Sequence, residues 1–344
     1  MAPAPERIAE EAPRAAAAPC GGRLADAQGR VISYLRVSLT DRCNFKCTYC
    51  SPVPEDEPDA AHLTLAELAR LFRVFASVGV RRVRLTGGEP TLRRDLVEIV
   101  RTAASTPGIE DVALTTNGHR LSALAAPLAE AGLGSMNVSL DTLDPSRLVG
   151  VSGQGARLDK IVAGIDASVG RFRSFKTNTV VMRGVNEDEV GDLVRFAWDR
   201  GAIPRFIEQM PFGGGVPVPL AEVRRRLEEA GFALRPDAHR GWGPAHHLRA
   251  RDARGREGLV GLIGAMTENF CETCNRARVA ADGGFQACLG GEDRAPLREL
   301  MRAGADDGAL VEAIRGALSR KAPRHRMDAA SGGLVLLPMR GIGG

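Results

Sequence analysis

Lysine is scarce in this chain of 344 residues. Only Lys46, Lys160, Lys176 and Lys321 occur among its 46 basic residues; the rest are arginines. Against 42 acidic residues the net charge is +4, too mild for the strongly basic balance of a nucleic-acid binder. Long apolar runs are missing too. No stretch approaches about 18 consecutive apolar residues, so the sequence supports no membrane-spanning helix. Residues 1–19 carry Glu6, Glu10 and Glu11 and lack the apolar core of a signal peptide. Their Ala/Pro-rich composition is that of a disordered extension, expected to cover residues 1–30. The expected location is therefore the cytoplasm. The bulk composition, 44% hydrophobic and 26% charged, is enough for a sizeable core in one large domain or two.

Seven cysteines are present, and six of them fall into two tight groups. Cys43, Cys47 and Cys50 form one; Cys271, Cys274 and Cys288 form the other; Cys20 is left over. Clustering of this kind, without a secretion signal, points to metal ligation rather than disulfides.

From residue 34 short β-like runs alternate with amphipathic helical stretches. The expected strands are Tyr34–Leu39, Val83–Thr86, Val112–Thr115, Met136–Leu140, Lys176–Val181 and Arg205–Gln209. The clearest helix is Thr64–Val78. Thr64 and Glu67 form a capping box, and Leu65, Leu68, Leu71, Phe72 and Phe75 form an apolar stripe. Further helices are expected near 93–104, 120–131, 157–169 and 187–200. Six βα units in series predict an α/β fold, a parallel sheet curved into an incomplete, TIM-like (βα)6 barrel over residues 31–214. Residues 215–344, where the rhythm weakens, form a C-terminal region covering the open side.

Parallel α/β folds place their chemistry at the C-terminal ends of the strands. The residues there are unusual. The first strand runs into Thr40-Asp41-Arg42-Cys43, the second into Gly87-Gly88-Glu89-Pro90, the third into Thr116-Asn117-Gly118. The fourth ends at Ser139-Leu140-Asp141 and the sixth at Glu208-Gln209-Met210.

The first cysteine group can hold three irons of a [4Fe–4S] cluster and leave the fourth open to a small chelating molecule. A closed zinc site takes four protein ligands, and no fourth Cys or His adjoins this loop; the nearest histidine is His62. The plain alternative is a structural metal loop. The second group, C-x2-C-x13-C, reads equally as a zinc ribbon lacking an adjacent fourth ligand or as a second cluster site.

The C-x3-C-x2-C loop with Tyr49 before its last cysteine resembles the signature of the radical S-adenosylmethionine (SAM) superfamily. Gly87-Gly88-Glu89-Pro90 is similar to that family's SAM-binding GGEP motif. Glycines let the backbone approach a ligand, and Glu89 can accept from the cationic amine of SAM. The resemblance implies a radical SAM barrel whose first cluster chelates SAM for reductive cleavage to 5′-deoxyadenosine and methionine.

Cys271-Glu272-Thr273-Cys274-Asn275-Arg276-Ala277-Arg278 resembles the C-terminal motif of the GTP 3′,8-cyclase family, over about residues 31–344. That resemblance implies a second [4Fe–4S] cluster with an open iron facing the guanine. It further implies a lyase that makes (8S)-3′,8-cyclo-7,8-dihydroguanosine 5′-triphosphate, the first step of molybdenum cofactor biosynthesis. Matched residue by residue, it implies GTP contacts at Arg36, Arg84, Thr115, Lys176, Arg276, Ala277 and Arg278. It implies SAM contacts at Tyr49, Gly88, Glu89, Ser139 and Met210. The tail, Gly343 and Gly344, is implied to reach the active site, where Arg36, Arg276 and Arg278 are the other catalytic candidates. The implied partners are GTP, an electron donor of the flavodoxin or ferredoxin class, and functionally a downstream cyclic pyranopterin monophosphate synthase. Neither nucleic acid nor membrane is expected, and the chain is expected as a monomer or homodimer. Cys20, Val216–Pro219 and the Arg-rich stretch 249–256 depart from the family pattern. The alternatives are another radical SAM enzyme with an auxiliary cluster, whose C-terminal part would carry more cysteines, and a zinc-binding nucleic-acid module.

Overall fold

The computed structural model describes residues 22–50, 62–213, 216–239, 241–291, 293–325 and 327. Cys20, residues 1–21 of the expected extension, and Gly343 with Gly344 lie outside the described residues. The six expected βα strands are all present: β1 (Tyr34–Ser38), β2 (Arg82–Thr86), β3 (Asp111–Thr116), β4 (Ser135–Ser139), β5 (Ser174–Val181) and β6 (Ile203–Glu208). Between and after them run α1 (Leu65–Ser77), α2 (Leu96–Ala104), α3 (Leu121–Glu130), α4 (Pro145–Ser152), α5 (Leu158–Asp166) and α6 (Val190–Asp199). The C-terminal region contributes α7 (Leu220–Glu229), β7 (Ala233–Pro236), β8 (His246–Arg251), β9 (Glu257–Ile263), β10 (Arg276–Val279), β11 (Gly284–Gln286) and β12 (Arg294–Pro296). It closes with α8 (Leu297–Arg302) and α9 (Asp307–Ser319).

All these strands belong to one sheet, ordered β12-β11-β10-β1-β2-β3-β4-β5-β6-β9-β8-β7. Strands β1 to β6 pair in parallel, in sequence order. β10 then adds in parallel to β1, and β9 in parallel to β6. The C-terminal region thus supplies a further parallel strand at each edge of the (βα)6 array. Antiparallel β11–β12 and β8–β7 extend the sheet beyond them, and it stays open.

Local sequence explains the helices that carry the array. Thr64 Oγ1 accepts from Glu67 N–H, and the Glu67 carboxylate accepts from Thr64 N–H at 2.8 Å, closing the capping box of α1. α1 then buries Leu68, Leu71, Phe72 and Phe75 against the sheet. α4 was not expected; Asp144 caps its first turn and Pro145 opens it.

Along each strand alternate residues face opposite ways. Leu35, Val37, Val83, Leu85, Val112 and Leu114 are buried on the face the helices cover. The opposite face holds Tyr34, Arg36, Arg82, Arg84, Thr115 and Lys176. Barrel interiors are commonly filled by branched apolar residues. Here the interior is cationic, which is costly unless a ligand compensates it.

Residues 22–30, expected within a disordered extension, are folded. Leu24 is 1% exposed, and Ala25 bridges Val31. Among the described residues no helix is long and apolar enough to cross a membrane.

Candidate active site

The first cysteine loop leaves β1 and is gripped from two sides. The GGEP turn docks on it: Gly88 N–H donates to the Thr40 carbonyl at 2.7 Å, and Glu89 N–H to the Arg42 carbonyl at 2.8 Å. A Cβ on Gly88 would lie 2.2 Å from the Arg42 carbonyl oxygen, so only glycine permits this approach. On the other side, Lys46 N–H and Thr48 N–H donate to the carbonyls of Ser152 and Val151, at the end of α4, at 2.8 and 2.9 Å. The loop therefore needs two separate βα units to hold its shape.

Cys43, Cys47 and Cys50 line one cavity with Tyr49, Gly88, Glu89 and Ser139. Tyr49 donates its hydroxyl to Asp141 Oδ2 at 2.7 Å. Burial pushes the Asp141 carboxyl up to about 6, against the opposing bonds from Tyr49 and Val180. Glu89 Oε1 accepts from Thr91 N–H and from the Thr91 and Thr116 hydroxyls; Oε2 accepts from Asn117 N–H at 2.7 Å. These bonds pin the turn to the end of β3. Burial nonetheless raises the Glu89 carboxyl, since the donors only partly offset its desolvation. Two buried acids beside the thiols make this a site for a cation.

The second cysteine group flanks β10, on which Arg276 and Arg278 share one face. Cys271, Cys274 and Cys288 line a second cavity, which also takes in the cationic interior of the sheet. Arg276 Nη2 and Lys321 Nζ each lie 3.8 Å from Cys274 Sγ. Burial alone would raise the Cys274 thiol, but Arg276 and Lys321 bring it down to about 7. The folded N-terminal segment supports this corner. Arg30 donates to the Cys271 carbonyl at 2.7 Å and pairs with Asp26 at 2.6 Å, and Asp26 faces Lys321 at 3.8 Å.

Of the expected GTP contacts, Arg36, Arg84, Thr115, Lys176, Arg276 and Arg278 line this second cavity. Register brings three of them side by side: Arg36 pairs with Arg278 on one flank and with Arg84 on the other. Burial, then repulsion from Arg278, holds Arg36 well below the usual arginine range. Burial and Arg276 likewise lower Arg278 to about 10. Burial would raise the Tyr34 phenol, yet Arg84, Arg82 and Arg36 lower it to about 7. Concentrated positive charge in a dry cavity stabilises any anion placed there.

Ala277 sits on the other face of β10, opposite Leu35 and buried, so its side chain does not line the cavity. Met210, expected among the SAM contacts, lines the second cavity and not the first. Thr115 lines both, which marks where the two cavities meet.

Sequence reading missed Arg82, Arg205, Asn137, Asn178 and Trp242, all lining the second cavity. The signal was available for some: Arg82 lies two residues before Arg84, and Asn178 two after Lys176, on the same strand face. Arg82 pairs with Asp111 at 3.1 Å and lies over the Trp242 and Tyr34 rings. Arg205 donates to Asn178 Oδ1 at 2.7 and 3.0 Å.

Both triads suit an iron–sulfur cluster by donor chemistry. Each offers three thiols outside any disulfide to one cavity, with no fourth cysteine in its loop. Among the described residues no three His, Cys, Asp or Glu side chains converge tightly enough for a single metal ion. A cubane spreads its ligands more widely than one zinc does.

Comparison with known proteins bears on both halves of the chain. Residues 37–197 match the Radical SAM superfamily, and residues 203–327 match Molybdenum Cofactor Synthesis C. GTP 3′,8-cyclase 1 of Pseudomonas aeruginosa is 43% identical over 329 residues, 93% of this chain and 98% of that one. GTP 3′,8-cyclase of Paracoccus denitrificans is 43% identical over 315 residues, 89% of this chain and 90% of that one. Molybdenum cofactor biosynthesis protein 1 of Drosophila melanogaster is 42% identical over 320 residues, 89% of this chain and 55% of that one.

Proposed function

The chain belongs to the GTP 3′,8-cyclase family of the radical SAM superfamily, and from that premise we propose that it converts GTP to (8S)-3′,8-cyclo-7,8-dihydroguanosine 5′-triphosphate, cleaving SAM to 5′-deoxyadenosine and methionine. This is the first step of molybdenum cofactor biosynthesis. The observation that carries the reading is the pair of cysteine-lined cavities meeting at Thr115, one flanked by buried acids and the other by buried arginines. SAM is cationic at its amine and sulfonium, whereas GTP carries about four negative charges, so each ligand has a cavity of opposite sign.

Cys43, Cys47 and Cys50 would hold one [4Fe–4S] cluster and Cys271, Cys274 and Cys288 a second; once bound, they would supply the electron for SAM cleavage and a Lewis-acidic site for the guanine. The residues of the chain bind and orient. Gly88 brings its backbone to SAM, with Tyr49, Ser139 and the Glu89 carboxylate around it. Met210, just after β6, approaches SAM from the nucleotide side of the site. Arg36, Arg84, Thr115, Lys176, Arg276 and Arg278 fix GTP, and Ala277 contributes backbone only. Holding C3′ of the ribose against the 5′ carbon supplies much of the rate. The electron donor is a flavodoxin or ferredoxin, the product passes to a cyclic pyranopterin monophosphate synthase, and the enzyme works in the cytoplasm as a monomer or homodimer.

Anaerobic reconstitution, metal analysis and incubation with SAM, reductant and GTP test this. The expected result is about eight irons per chain and 5′-deoxyadenosine formed only with GTP. Zinc in the second site, or SAM cleavage indifferent to GTP, would overturn it in favour of another radical SAM activity.

A further inference from the structure

Strand register carries one row of inward-facing residues across the far side of the cationic cavity. Asn178 on β5 pairs with Arg205 on β6, Arg205 with Gly261 on β9, and Gly261 with His247 on β8. Gly261 has no side chain, and a Cβ there would lie 2.7 Å from Arg205 Cγ. The aliphatic stem of the arginine therefore packs over β9, while its guanidinium turns to Asn178 on β5. His247 lines the same cavity and is only 5% exposed.

Neither ring nitrogen of His247 has a hydrogen-bond partner of proper geometry. A buried imidazole left in this state is unfavourable until a partner reaches it. Its neighbours offer no compensation. The His239 ring packs edge-on against it at 4.5 Å between centroids. Burial first, then His239, Lys176 and Arg205, lower His247 to about 4; only the His239 backbone opposes this. Gly261 brings no titratable group from β9. Asp237, just after β7, receives the Arg249 guanidinium at 2.8 Å and His239 N–H at 2.8 Å, so its carboxylate is committed elsewhere. The ring is thus neutral at pH 7 and placed among cations that an anionic ligand would offset.

We propose that His247 is a further substrate-contacting residue: it meets a phosphate of the bound nucleotide beside Lys176 and Arg205 and takes up a proton from solvent as that phosphate enters. This rests on the reading of the cavity as a GTP site. The linkage has a definite sign. Binding raises the affinity of the ring for a proton, so the nucleotide binds more tightly as pH falls toward the value of the bound ring. Protonation of the phosphates of GTP contributes the same trend whatever residue stands at 247, and it cancels when variants are compared.

The test is calorimetric titration of the reconstituted holoenzyme with GTP from pH 6 to 8, in buffers of different ionisation enthalpy. It compares wild type with His247→Gln, which stays a neutral donor. The wild type is expected to take up more protons on binding than the variant, and its affinity advantage to grow on the order of fivefold from pH 8 to pH 6. Guanosine, which lacks phosphate, should show no difference between the two. His239→Gln, which removes a neighbour that disfavours protonation of the ring but keeps His247, should retain the extra uptake, displaced to higher pH. Equal proton uptake in wild type and His247→Gln, with GTP bound by both, overturns the proposal alone. So does an equal difference with guanosine, or loss of the extra uptake in His239→Gln. A wild type that binds no GTP overturns the proposal together with the reading of the cavity.

Discussion

Cys47 and Cys274 are the middle thiols of the two triads, and their surroundings are opposite in sign. Burial and Asp141 push Cys47 up to about 11, whereas Arg276 and Lys321 outweigh burial and bring Cys274 down to about 7. Identical donors thus sit in surroundings of opposite charge. The first triad lies on one contiguous loop, braced by the GGEP turn and the end of α4. The second is assembled from segments before and after β10 and braced by Arg30 and Lys321 from distant parts of the chain. On the proposed reading the difference separates two tasks: holding a cationic cofactor near a loop, and holding a polyanion inside a sheet.

The sharpest way to break that separation is to remove one cluster at a time. Cys43→Ser is expected to abolish 5′-deoxyadenosine formation and about half the iron; Cys271→Ser should lose a similar share of iron and all cyclisation yet still cleave SAM. Equal loss of cleavage in both would show the triads to be one functional unit. Next, Arg276→Ala or Arg205→Ala should each weaken GTP binding by about 2–3 kcal/mol, roughly 30- to 150-fold, with SAM affinity unchanged by titration. A matching loss of SAM affinity would mean the charge division is not functional. Conversely, Gly88→Ala should disturb the SAM side. Its Cβ has no room beside the Arg42 carbonyl, so SAM affinity and melting temperature should fall, by about 2 kcal/mol, while the second cluster keeps its spectrum. Smallest of all, Thr64→Ala removes the α1 cap and should cost about 1 kcal/mol in thermal unfolding with both ligand affinities intact.

Much of the fold was legible in the sequence because its helices are amphipathic and its outward strand positions are apolar. The strand starts were less so. Arg82 and Ser174-Phe175 begin β2 and β5 but fell outside the expected runs. The polar inward positions look like loop residues when a barrel interior is assumed to be apolar. α4 escaped for a different reason: at eight residues it shows little periodicity, although Asp144 and Pro145 announce it. The folded segment 22–30 was hidden by an Ala/Pro-rich stretch beside it, since what orders it is contact with residues more than 200 positions away.

By itself the sequence determined the ligand chemistry. Thiol spacing is local, a glycine turn is local, and arginines two apart on a strand share a face whatever the rest of the chain does. Tertiary structure decided which groups meet. Only pairing of β10 with β1 sets Arg278 beside Arg36, and only pairing of β9 with β6 and β8 puts Arg205 and His247 in one row on either side of a glycine. Those pairings join residues far apart in the chain, and no local pattern encodes them. The charge of each cavity is a sum over such neighbours, made strong by the burial that the closed packing imposes.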